Sequence, residues 1–182
     1  SFRYLCRSTI ARGLILSQPE ISDHLWEPQT SKLLLHLAQG ASAVAIGGAY
    51  FGDHALLVGQ MLQLEGGPGS SQVHCFEMNL EQLEMCRENA RNNGIENILC
   101  HHRALYSRPE AHLRLTGEDA AASAQEAAAG TEAAVPSATL QQVAEEQGNS
   151  GFDLIMLDIE GGELQALQGG EELLARDPGR AP

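Results

Sequence analysis

A Gly-rich turn set between two apolar runs constrains this chain more than any other feature. VAIGGAYFGD, residues 44–53, is followed by VHCFEMN, residues 73–79, whose apolar run closes on Glu77. A strand, a Gly-rich turn into a helix, and a second strand ending in a carboxylate is how open α/β sheets hold a nucleoside-bearing ligand. Gly47, Gly48 and Gly52 let the backbone turn sharply and let a ligand lie close to the chain, where the next helix presents unpaired N–H groups. An ionised acid at the tip of the second strand offers two acceptor oxygens, enough for both hydroxyls of a ribose, and Glu77 stands there.

Size and charge narrow the field. With 182 residues and 43% apolar content, one substantial core and one domain are expected. The formal charge of -13, from 24 acidic against 11 basic residues, opposes a phosphate backbone, so nucleic acid is not an expected partner. No apolar run approaches the roughly 18 residues of a membrane span. The opening SFRYLCRSTIARGLIL lacks the long apolar stretch and cleavage site of a signal peptide. A soluble cytoplasmic protein without membrane association is the expectation. Cys6, Cys75, Cys86 and Cys100 are scattered, with no CxxC pair and no His at finger spacing, so no metal site and no disulfide framework are assigned. Cys75 and Cys100 read as small hydrophobes within strands.

Along the chain, residues 1–42 read as an N-terminal helical cap and 43–182 as the α/β unit, effectively one domain. PQTSKLLLHLA carries an apolar helical stripe at 33, 34, 37 and 38 and stops near Gly40. Strand one spans about 43–47, followed by a helix through HALLVGQMLQL. Strand two spans 73–77, followed by a helix capped by Asn79 and stopped by Gly94, and a short strand covers 98–101. This order points to a mainly parallel, doubly wound sheet with right-handed crossovers and flanking helices. Residues 111–115 alternate like a strand. The Ala/Glu-rich stretch of about 117–138 reads as a solvated helix or disordered insertion without chemistry. TLQQVAEEQG reads as a helix, FDLIMLDIEGGE as a fully buried strand ending in a polar cluster, and GELQALQGGEELLA as one helix. With four or five strands visible, the sheet is expected to lack its C-terminal strands.

Two of these segments together resemble the FkbM family of S-adenosylmethionine-dependent methyltransferases, a Rossmann-like class. The resemblance covers about residues 28–175. LIMLDIEGGELQALQGGEELL is similar to the family's strand ending in Asp, with an acid, a Gly and a helix after it. VAIGGAYFGDHALL resembles the first cofactor loop, and CFEMNLEQLEMCRENARNNGIENI the second strand and helix. The chain departs from the family pattern at Ala45, where an acid is usual, at Gly48-Ala49, at Gly52, at Leu140-Gln141 and at Met156.

The resemblance implies S-adenosylmethionine as cofactor. Gly47, Gly48 and Ala49 would lie against its methionine part, with Gly52 in the same loop and Asp53 able to substitute at the amino-acid end. Glu77 would take the ribose, while Met78, Ala104 and Leu105 would flank the adenine. Asp158 would face the sulfonium and the acceptor. Methyl transfer to a hydroxyl needs in-line placement and removal of a proton, for which Asp158, then Glu160, are the candidates. Alternation along an extended end sends these two to opposite faces, so that only one meets the ligand. Glu163 reads as a first-turn helix residue, and His54 as a solvated or capping one. The expected reaction is methyl transfer to a hydroxyl of a small molecule such as a sugar, polyketide or other secondary metabolite. A nicotinamide-dependent oxidoreductase, or a methyltransferase-like domain that binds without turnover, are the alternatives.

Overall fold

The computed structural model describes residues 2–4, 26–67, 69–117, 123–148, 151–176 and 182. Most of the expected N-terminal cap therefore lies outside the described residues. Its last part is helix α1, Pro28–Leu37, with Pro28 in the first turn where its missing N–H costs nothing. The buried face is not the whole apolar stripe. Ser31, Leu34 and Ala38 face the core, while Leu33 and Leu37 are exposed.

The main sheet joins β1, Ala43–Gly47; β2, Gln72–Phe76; β3, Ile98–His101; and β8, Leu154–Leu157, all parallel in the order β3-β2-β1-β8. Helix α2, Asp53–Gly66, connects β1 to β2, and α3, Leu80–Asn92, connects β2 to β3. Asn79 caps α3 by accepting from the backbone N–H groups of Glu81 and Gln82. Side chains alternate along β1, so Val44 and Ile46 enter one core layer with Leu34, Val58, Leu62, Cys75 and Cys86. Ala43 and Ala45 enter the opposite layer, beneath α4 (Leu140–Glu146), α5 (Glu163–Gln168) and α6 (Glu171–Leu174), with Phe76, Leu140, Val143 and Leu173. Both faces are thus covered by helices, the doubly wound arrangement expected of apolar parallel strands.

Three expectations need correction. First, the Ala/Glu-rich insertion is neither a solvated helix nor structureless where it is described. Its residues form β6, Ser123–Glu126, and β7, Val135–Ala138, which flank the strand β5, His112–Thr116, antiparallel on either side. β7 also pairs in parallel with a two-residue strand β4, Ala104–Leu105, giving a second sheet ordered β4-β7-β5-β6. Cross-strand hydrogen bonding and the buried Leu113, Val135 and Ala138 supply what the low apolar content conceals. Second, β8 is half-buried, since it pairs only with β1 among the described residues. Third, the C-terminal helix is two short ones, interrupted at Gly169-Gly170, where the Gly169 carbonyl accepts from the Gln141 N–H (3.2 Å). No helix among the described residues is long and apolar enough to cross a membrane.

Candidate functional site

At the carboxyl ends of β1, β2 and β8 lies a cavity of about 310 Å³, bordered on its far side by the second sheet. That is the position at which open α/β sheets take their ligands. The loop after β1 is pinned against both neighbouring strands. The N–H groups of Gly48 and Ala49 donate to the Phe76 carbonyl (3.0 and 3.1 Å), and the Asp158 N–H donates to the Gly47 carbonyl (3.1 Å). Gly48 has a positive φ of 77°, and a Cβ there would lie 1.9 Å from the Asp158 carbonyl oxygen. Only glycine lets the loop and the end of β8 approach this closely.

Glu77 is the buried acid of the cavity. Its Oε2 accepts from the Tyr50 N–H (3.0 Å) and its Oε1 from the Asn79 N–H (2.8 Å). These bonds leave acceptor capacity on a carboxylate that has four lone-pair sites. Burial pushes the carboxyl up from its ordinary range, opposed by hydrogen bonds from the Asn79, Tyr50 and Met78 backbone and by His102. One side chain therefore ties the tip of β2 to the β1 loop and to the start of α3. Tyr50, which meets it, has a left-handed φ of 49°, a conformation that costs a non-glycine residue about 1 kcal/mol or more.

The residues singled out in the sequence are placed as follows. Gly48, Asp53, Glu77, Met78, Ala104, Leu105, Asp158 and Glu160 border the cavity. Gly47, Ala49 and Gly52 stand behind it. A Cβ on Gly52 would meet Leu56 Cδ1 at 2.2 Å and Cys86 Sγ at 2.9 Å, so its role is to let α2 start close against α3. Asp158 and Glu160 do not diverge to opposite faces. β8 ends at Leu157, Glu160 turns into a left-handed φ of 53°, and both border the same cavity. The loop between them is held by Glu163, whose carboxylate accepts from the N–H groups of Ile159 (3.0 Å) and Gly161 (3.0 Å). Slight desolvation acts against these bonds, but they prevail and hold Glu163 below the usual carboxylate range.

His54 is neither solvated nor a cap. It is buried at the cavity edge, with Nδ1 3.3 Å from Ser31 Oγ and Nε2 3.7 Å from Glu27 Oε2 and 3.8 Å from Asp53 Oδ2. Ser31 Oγ also donates to the Trp26 carbonyl (3.2 Å), and the Nε2 end of the His54 ring is turned toward the carboxylates of Glu27 and Asp53. Burial pushes Asp53 upward. His54 and the backbone oppose that rise, and Asp158 and Glu27 add to it.

Sequence reasoning missed most of the far wall. Tyr106, Leu113, Leu115, Ala124 and Gln165 border the cavity, as do Asn79, Gln82 and Arg103 near Glu77. Leu113 and Leu115 are spaced by two within the alternating run and could have been read as one face. Ala124 carries no such signal. Asp53, Glu77, Asp158 and Glu160 thus supply carboxylates to the lining, while Phe76, Met78, Leu105, Leu113 and Leu115 make the apolar surroundings. Among the described residues the one Arg on the lining, Arg103, is paired to Glu146 (2.9 Å). Such a site accommodates a flat, partly apolar ligand bearing hydroxyls and positive charge, and opposes an anionic one. No group of three or more His, Cys, Asp or Glu among the described residues could hold a metal ion.

No curated protein sequence matches this chain. Among solved structures, a methyltransferase from Geobacter sulfurreducens aligns at 17% identity over 52% of this chain and 49% of its own, with a TM-score of 0.38. A SAM-dependent O-methyltransferase from Thermotoga maritima aligns at 14% identity over 50% and 33%, TM-score 0.38. The O-methyltransferase TomG from Streptomyces achromogenes, solved with SAM, aligns at 14% identity over 50% and 41%, TM-score 0.36. The chain spans about half of the first of these structures and less of the other two. The methyltransferase FkbM domain model matches residues 47–179, from the last residue of β1 through both C-terminal helices, and the chain belongs to the FkbM methyltransferase family.

Proposed function

We propose that this chain binds S-adenosylmethionine, the cofactor of its family, in the cavity at the ends of β1, β2 and β8, and transfers the methyl group to a hydroxyl of a small molecule. The observation that carries the reading is the convergence of Glu77, the Gly48 loop and Asp158 on one cavity. The residues fit the cofactor. Glu77 keeps acceptor capacity for a ribose hydroxyl, and the missing side chain at Gly48 lets the loop close on the end of β8 that carries Asp158. Asp53 and Asp158 offer negative charge to an ammonium and a sulfonium.

When bound, the cofactor supplies an already activated methyl group, so the protein's share is placement and charge. Met78, Ala104 and Leu105 would enclose the adenine. Asp158 would accept the proton of the acceptor hydroxyl, with Glu160 next to it and Glu163 holding the loop that carries both. Leu113, Leu115 and Tyr106 would bear on the acceptor. The apolar wall and the pairing of Arg103 with Glu146 favour a neutral small molecule such as a sugar or polyketide.

Calorimetry with S-adenosylhomocysteine and with NAD tests the reading. S-adenosylhomocysteine is expected to bind the parent chain and to lose at least about tenfold in affinity in Glu77→Ala, whereas NAD is not expected to bind. Binding of NAD in its place would overturn the proposal in favour of a nicotinamide enzyme. Binding of neither would leave a methyltransferase-like domain without its cofactor.

A further inference from the structure

Three of the four cysteines, distant in sequence, meet beneath the cofactor loop. Cys75 and Cys100 are register partners on β2 and β3, and Cys86 reaches down from α3 to place its Sγ 4.0 Å from Cys100 Sγ. Cys75 and Cys86 are buried, and Cys100 is partly exposed on β3, the outer strand of the sheet among the described residues. An oxidant arriving from solvent therefore meets Cys100 first, with a second thiol already within one side-chain rotation. The three do not converge on a metal-sized centre. Arg87, the residue after Cys86 on α3, donates to the Cys100 carbonyl (3.0 Å) and brings positive charge beside the thiol.

We infer that Cys86 and Cys100 form an oxidation site, which a hydroperoxide converts to a disulfide that loosens the cofactor loop at Gly52. The Cys100 thiolate attacks the peroxide, the O–O bond breaks, and Cys100 becomes a sulfenic acid as hydroxide or alkoxide leaves. The Cys86 sulfur then attacks the Cys100 sulfur, the S–O bond breaks and water leaves with the Cys86 proton. The two thiols lose two electrons and the peroxide gains them. The thiol environment suits this order. Hydrogen bonds from Cys75 and Cys86, together with Arg87 and against the opposing effect of burial, hold Cys100 below the usual thiol range, while Cys86 is held above it.

The consequence lies on the other side of Cys86. Its sulfur, together with Leu56 Cδ1, fills the place a side chain on Gly52 would take, and Gly52 begins α2 directly after the loop that carries Gly48 and Tyr50. A disulfide needs the sulfurs about 2 Å apart, so Cys86 Sγ must move toward β3 and leave that contact. This second half of the inference rests on the proposed cofactor site, and the first does not.

The test treats the full chain, in a Cys6→Ser background, with graded hydrogen peroxide, followed by peptide mass mapping and by calorimetry with S-adenosylhomocysteine. The expected result is one crosslink joining the peptides of Cys86 and Cys100, reversed by dithiothreitol, retained in Cys75→Ala and absent in Cys100→Ala. Cys100→Ala replaces a half-buried side chain and is the variant least exposed to folding failure. A crosslink through Cys75, or sulfinic acid at Cys100 without any crosslink, overturns the site. S-adenosylhomocysteine affinity is expected to fall at least fivefold on oxidation, to recover on reduction, and to stay unchanged by peroxide in Cys100→Ala. Formation of the crosslink with unchanged affinity overturns the coupling to the loop. A crosslink in a chain that never binds S-adenosylhomocysteine leaves the oxidation site standing and removes the cofactor reading.

Discussion

Glu77 combines two tasks that a substitution can separate. Its oxygens accept from the N–H groups of Tyr50 and Asn79, so the carboxylate fixes the loop, and the same residue borders the cavity. Glu77→Gln keeps the shape but turns one acceptor into an NH₂ group that opposes a backbone N–H. An unsatisfied buried donor costs about 1–3 kcal/mol, and thermal unfolding should register that loss alongside the weakened S-adenosylhomocysteine binding. An unchanged midpoint in Glu77→Gln would mean that the two backbone bonds do not hold the loop. Gly48 makes a sharper demand. A Cβ 1.9 Å from the Asp158 carbonyl forces the end of β8 away from β1. Gly48→Ala should therefore lower S-adenosylhomocysteine affinity by at least about tenfold. Native affinity in that variant would sink the close approach as a requirement of binding.

At the level of elements, what the sequence discloses depends on whether its signal is local. The apolar run of β1 and the Asn79 cap are local, and each was readable from its own few residues, while the Thr139 cap of α4 is an equally local signal that went unread. Asn79→Ala should cost about 1 kcal/mol in denaturant unfolding, because two first-turn N–H groups of α3 lose their acceptor. A null effect would show that water caps the helix equally well. Of the second sheet only the alternation of β5 was readable, since SAQE has little apolar content and becomes a strand only through pairing with residues 113–116. Glu160 likewise follows a strand pattern in sequence, and its left-handed φ reverses the face that alternation assigns to it. The meeting of Cys75, Cys86 and Cys100 depends on parallel register and helix position, which spacing alone does not carry. Leu113 joins the two scales, being buried in the second sheet and bordering the cavity. Leu113→Ala should destabilise by about 2–5 kcal/mol if that sheet is an integral part of the folded core. A loss well under 1 kcal/mol would instead mark it as an appendage.

For the molecule as a whole, acid is the condition that most separates opposing electrostatic terms. The chain carries a formal charge of -13 at pH 7, and lowering the pH relieves that repulsion. Burial raises Glu77 and Asp53, and a group whose folded pKa is raised likewise becomes less costly as pH falls through that value. His74 works in the other direction. It is fully buried in register with Ala45, whose small side chain leaves it room, and it packs against Phe152, with its Nδ1 3.1 Å from His101 Nε2. Burial, and secondarily His101, lower its pKa to about 4 from an unfolded value of 6.5. The unfolded chain thus binds the proton first, so the stability due to neutral His74 is complete above pH 6.5 and is lost as pH falls from 6.5 toward 4. After allowance for partial solvent screening, the loss is on the order of 2 kcal/mol. A comparison with His74→Phe isolates it, because the surface charge, Glu77 and Asp53 are common to both chains. Denaturant unfolding at pH 7.5 and 4.5 should show a parent-minus-variant difference that grows against the parent by that amount. A difference that stays flat between the two pH values would mean that His74 takes up its proton in the folded chain as readily as in the unfolded one, with His101 as its acceptor.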